Sequence, residues 1–89
     1  MPLYLYKKMR VEPKFNSGDY IINRSSGDIG VIDKVTPRNY YHFKAYYSAM
    51  FDELKDVTNK LYDLQVDYQK FFDLCTEEEI DKMNKMLKR

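Results

Sequence analysis

The chain has one cysteine, one histidine and no tryptophan among its 89 residues. A lone thiol, Cys75, excludes an internal disulfide, so folding does not wait on oxidation and a reducing, cytoplasmic setting is expected. One histidine, His42, beside one cysteine leaves too few soft ligands for a zinc-type site, and neither a metal nor another cofactor is expected. The three glycines, Gly18, Gly27 and Gly30, fall in β-turn settings and build no phosphate-binding loop. No apolar run approaches the ~18 residues that span a bilayer, so no membrane partner is expected. The N-terminal MPLYLYKKMR places its charges after its apolar residues and does not read as a secretory leader.

What the chain does have is aromatic and aliphatic surface. Hydrophobic residues make up 44% and aromatics 16%, with nine tyrosines and five phenylalanines, which is enough to build one compact domain over residues 1–89. Net charge is +1, unevenly spread. Residues 1–44 hold eight basic and four acidic side chains, and residues 45–89 hold seven basic and ten acidic ones. The result is a mildly basic head followed by an acidic remainder, a polarity suited to orienting a partner.

Residues 1–35 read as β. Leu3–Tyr6 is a short apolar edge segment; Asp19–Asn23 and Asp28–Val35 are β-branched runs separated by the turn Arg24-Ser-Ser-Gly27. Gly30 inside the second run marks a bulge or a close approach. These segments give a small curled hairpin or three-stranded sheet as the head; the strings Gly18-Asp-Tyr-Ile and Gly27-Asp-Ile-Gly-Val-Ile resemble the opening of small SH3-like barrels, which implies a barrel-like closure of it.

From residue 36 onward the spacing predicts helix. Thr36 is placed as an N-cap and Pro37 at the first helical position, and no proline follows. Phe43, Tyr47, Met50, Leu54, Val57, Leu61, Leu64, Tyr68 and Phe71 alternate at spacings of four and three, the 3.5-residue average of a heptad seam. A helix over 36–74 of this kind exposes Met50, Leu54, Val57, Leu61, Leu64 and Tyr68 as a coiled-coil interface. The expected partner is a second copy, with Glu53 and Lys60 favouring an antiparallel homodimer. Phe51 and Phe72 widen the stripe at its ends.

Thr76 with Glu79 forms a capping box, and Glu77, Glu78 and Glu79 suit the positive end of a helix dipole, so a short helix over 76–88 is expected to fold back on the long one. The predicted class is therefore α+β: β head, long amphipathic helix, helical tail.

Catalysis finds little support, because Cys75 and His42 lie near opposite ends of that helix. The expected function is a non-enzymatic protein–protein interaction module that self-associates through the seam and regulates or inhibits a larger protein. In layout it is similar to small accessory proteins of phages and mobile elements. Asp52, Asp56, Tyr62, Asp63 and Val66 are the expected partner surface on the helix's outer side. The alternative is a small nucleic-acid-binding protein, in which Lys7, Lys8, Arg10, Arg38 and Lys44 meet phosphates while Tyr40 and Tyr41 stack on bases.

Overall fold

The structure, a computed structural model, describes residues 11–88. The expected Leu3–Tyr6 edge segment and the basic Lys7, Lys8 and Arg10 lie outside the described residues. The described chain forms β1 (Tyr20–Asn23), β2 (Ile29–Val35), β3 (Tyr40–Ser48), β4 (Glu53–Asp56) and β5 (Asp63–Gln65). A 3₁₀ helix (Val66–Phe71), β6 (Phe72–Leu74) and the helix α1 (Glu77–Leu87) complete it. All strand pairs are antiparallel, in the order β4-β3-β2-β1-β6, and β5 shares with β4 the outer edge of β3.

This overturns the α+β expectation of a small, SH3-like head on a long helix. No helix spans 36–74, and there is no coiled-coil seam; that stretch supplies β3, β4, β5, the 3₁₀ helix and β6. The residues at four-three spacing are scattered over these elements. Phe43 and Tyr47 lie in β3, Met50 in a turn, Leu54 in β4, Leu64 in β5, and Tyr68 and Phe71 in the 3₁₀ helix.

The physical reason lies in turn chemistry and in the side-chain period of β3. Thr36-Pro37-Arg38-Asn39 is the β2–β3 turn: Asn39 N–H donates to the Thr36 carbonyl at 3.0 Å, and Asn39 takes a positive φ of 67°. The Thr36 hydroxyl accepts from the Tyr40 N–H at 3.2 Å, an arrangement with the same residue types as a helix cap. Asp52, with φ 48°, closes the β3–β4 turn by donating its N–H to Ala49. Between these turns Tyr41, Phe43, Ala45 and Tyr47 are buried while their neighbours are not, the period-two signature of a strand.

β3 also carries the sheet's main irregularity. Val31 pairs with Ala45 but Ile32 pairs with Phe43, so Lys44 is an extra residue and the strand bulges there. The bulge lets Tyr41, Phe43 and Tyr46 pack together with Phe15, Ile21, Ile32, Val57, Val66 and Phe72 in one core. Ile22, Ile29 and Tyr47 form a second cluster with Met83 of α1. Gly30 sits beneath Phe43; a Cβ there would come within 2.5 Å of the ring. The β1–β2 hairpin has its turn at Asn23–Gly27, where Gly27 N–H donates to the Asn23 carbonyl at 2.7 Å and φ is 83°.

α1 starts at the Thr76 capping box, with Glu79 N–H donating to the Thr76 hydroxyl and Thr76 N–H donating to the Glu79 carboxylate. It packs on the sheet through fully buried Met83, not on another helix, and Tyr20 donates its hydroxyl to Asn84 Oδ1 at 2.6 Å. Arg24 in the β1–β2 turn forks onto the Glu79 carboxylate at 2.9 and 3.3 Å, with Asp73 of β6 3.6 Å away.

The first core holds one polar node. Tyr41, fully buried, donates its hydroxyl to Gln69 Oε1 and accepts from the Lys14 and Phe15 N–H groups at 3.1 and 3.3 Å. Gln69 Nε2 donates in turn to the Glu12 carbonyl at 2.8 Å. Tyr41→Phe leaves the buried Phe15 N–H without its partner, while Gln69 Oε1 keeps only the Lys14 N–H at 3.0 Å, and is expected to cost about 1–3 kcal/mol. The check is urea unfolding, in which the midpoint falls and the slope stays constant. Thr76→Ala removes the cap and is expected to cost about 1 kcal/mol by the same measurement.

Candidate partner-binding surface

The turn joining β3 to β4 ends in two side chains that pack on little. Met50 is 84% exposed and Phe51 72%, although turns ordinarily carry polar residues. The next residue, Asp52, is held by the Tyr47 hydroxyl, which donates to Oδ1 at 2.6 Å. This bond, ahead of burial, raises the Tyr47 phenol pKa. Across from the turn stands α1, and the open groove between them is lined by Asp52, Glu78, Glu79, Asp81, Lys82, Lys85 and Met86.

Four carboxylates and two ammonium groups give the groove a net negative wall. The Lys82 Nζ lies 5.3 Å from the Tyr47 ring centroid, so part of its charge is turned toward an aromatic face. Glu79 is held below the usual carboxylate range by the Thr76 N–H and then by Arg24, so it stays ionised. An apolar tip beside an acidic channel suits a partner that presents an apolar anchor flanked by cations.

The expected interface residues do not form one surface. Val57 is fully buried and Leu54 and Leu64 are half-buried against the two cores, whereas Met50, Leu61 (95% exposed) and Tyr68 point to solvent from different elements. The expected outer-face set disperses as well. Val66 is fully buried, so it makes no apolar spot with Tyr62. Asp56 accepts from the Thr58 N–H and hydroxyl, which lowers its pKa, and Asp63 is engaged by His42. Only Asp52 of that set reaches the groove.

Of the expected nucleic-acid contacts, Tyr41 is core and has no free ring face for stacking. Tyr40 is half-buried and accepts from Gln65 Nε2, and Arg38 and Lys44 are exposed at the β2–β3 turn and at the bulge. Phe51, Asp81, Lys82 and Lys85 join the candidate surface although the sequence offers none of them as a contact, Phe51 being expected on the widened helical stripe. The run of acids before Lys82 was the one available signal, read there as helix-dipole chemistry.

Two further titratable groups stand outside the groove. His42 Nδ1 lies 2.6 Å from Asp63 Oδ1 and Nε2 lies 2.9 Å from the Thr58 carbonyl. Both contacts raise its pKa above the ordinary value, Asp63 most. Cys75 sits half-buried in the second cluster, and burial pushes its thiol up to about 11, so little thiolate forms at neutral pH.

Among the described residues no three His, Cys, Asp or Glu side chains are grouped to hold a metal ion. No helix there is long and apolar enough to cross a membrane. Comparison with known proteins finds no matching family model, no matching curated protein and no matching solved structure.

Proposed function

We infer that the chain is a non-enzymatic binding module of a reducing cytoplasm that docks on a larger protein and regulates it. The observation that carries this reading is the Met50–Phe51 tip beside the acidic groove. Two adjacent large apolar side chains stand in water where the fold gains nothing from them. The partner matching this surface offers an apolar side chain for the tip and lysines or arginines for Asp52, Glu78 and Asp81. Inhibition of the partner by steric cover is the simplest regulatory outcome.

A randomised peptide library selected on the whole protein tests this. Peptides that combine an apolar anchor with basic flanks are expected to be enriched. Phe51→Ser is expected to weaken the best of them by about tenfold or more, about 1.4 kcal/mol. Asp81→Lys is expected to weaken them further and to flatten the salt dependence. Leu61→Ser, away from the groove, serves as the control and leaves binding unchanged. Enrichment of acidic peptides, or full binding by Phe51→Ser, would sink the reading. Salt-dependent binding of a short single-stranded DNA, lost with Lys44→Glu, would replace it with the nucleic-acid alternative.

A further inference from the structure

The strand opposite the outer half of β3 is broken in a particular way. Val57 N–H donates to the Lys44 carbonyl at 2.9 Å, and the next ladder bond, Phe43 N–H to the Tyr62 carbonyl at 3.0 Å, lies one residue along β3. One residue along β3 therefore corresponds to five along its neighbour, and residues 58–61 are looped out between β4 and β5. The loop carries Leu61, nearly fully exposed. At its end the Tyr62 ring lies 5.5 Å from the ring of Tyr46, which in turn packs on Phe43.

The His42 imidazole lies across the neck of this loop, with Thr58 on one side and Asp63 on the other. Both atoms it faces, a carbonyl oxygen and a carboxylate oxygen, only accept hydrogen bonds. A neutral imidazole has a single N–H and cannot donate to both; the imidazolium has two. The His42 side chain is itself 13% exposed, while Thr58 and Asp63 on either side of it are exposed residues.

We propose that the 58–61 loop is a proton-controlled flap, latched to β3 by the His42 imidazolium and freed at the Thr58 end when His42 becomes neutral. The order of release follows from charge. The neutral ring keeps its N–H on the Asp63 carboxylate, the stronger acceptor, and turns the lone pair of Nε2 toward the Thr58 carbonyl, where the two repel. Thr58 is otherwise held by its N–H on Asp56 Oδ1 at 3.0 Å and by its hydroxyl, whose one proton goes to Asp56 Oδ1 at 2.8 Å or to the Lys44 carbonyl at 3.2 Å. The flap therefore loosens without detaching at Val57, which is fully buried.

The charges around the ring set the window. Asp63 of β5 and Asp33 of β2 favour the cation; Lys34 pairs with His42 in the β2 register but is exposed, and Lys44, on β3 itself, and Lys60, in the flap, are exposed as well. Because the folded-state pKa lies above 6.5, the latch is complete below the unfolded value and is lost as pH rises through the folded one. This device is independent of the groove at α1 and stands or falls without it.

Nitrogen chemical shifts of the His42 ring, followed by NMR through a pH titration, are expected to give a pKa above 6.5. Amide exchange at Lys60 and Tyr62, corrected for intrinsic rates, is expected to accelerate about tenfold between about pH 5.5 and about pH 8.5, while the Ile21 amide stays constant. Asp63→Asn keeps an acceptor but removes the charge, and is expected to lower the His42 pKa. His42→Gln is expected to leave the flap equally mobile at both pH values. A His42 pKa at or below 6.5, or flap amides equally protected at both pH values in the unaltered protein, would overturn the proposal.

Discussion

The hydroxyl of Tyr41 is the constraint on which most of this fold turns. It is fully buried, where an unpaired polar group is costly, and it is satisfied only if three separate pieces of chain arrive together. Residues 12–15 must lie across the sheet, β3 must hold its register, and the 3₁₀ helix must bring Gln69 inward. No buried side-chain donor or acceptor among the described residues lacks a partner. In a chain without tryptophan, tyrosines therefore give the core direction as well as bulk. Tyr20, Tyr46 and Tyr47 repeat the device, each anchoring a ring through its hydroxyl to Asn84, Asp28 or Asp52.

The strand that carries Tyr41 is also the organising element of the sheet. β3 faces β2 along one edge, and its other edge is divided between β4 and β5. The Lys44 bulge and the looped-out residues opposite it are two views of one mismatch. The bulge turns Phe43 and Tyr46 into the same core, and the loop absorbs the length that the shift leaves over. The binding tip and the titrating group both border this strand: Met50–Phe51 follows its end, and His42 sits near its start.

How much of this was legible beforehand depended on whether the signal was local. The β1–β2 hairpin could be read because Asn23 to Gly27 supplies turn chemistry between β-branched runs. The Thr76–Glu79 capping box could be read because both partners lie within one turn. Residues 36–74 could not, because Thr36 and Pro37 serve equally well in a helix cap and in a tight turn. Strands of three to nine residues joined by short turns also place apolar residues three or four apart wherever a turn intervenes. The alternation of Tyr41, Phe43, Ala45 and Tyr47 carried the opposite message over a shorter span. At the candidate surface, Asp52 and Met50 were singled out, but for a helix that does not exist. The partners of His42 come from Thr58 and Asp63, which only the folded sheet brings to it.

β1 closes its outer edge with β6, pairing Ile21 with Leu74 and Asn23 with Phe72. These residues are about fifty positions apart, so the sheet is completed by some of its most distant contacts. A chain leaving the ribosome exposes Ile21 and the unpaired edge of β1 throughout synthesis of the intervening strands. It buries them only when residues 72–74 have emerged. Local turns close over a few residues, whereas pairing β6 with β1 closes a loop of about fifty and carries the larger entropic cost. The interval before closure is when this small protein is most open to wrong pairing with its neighbours.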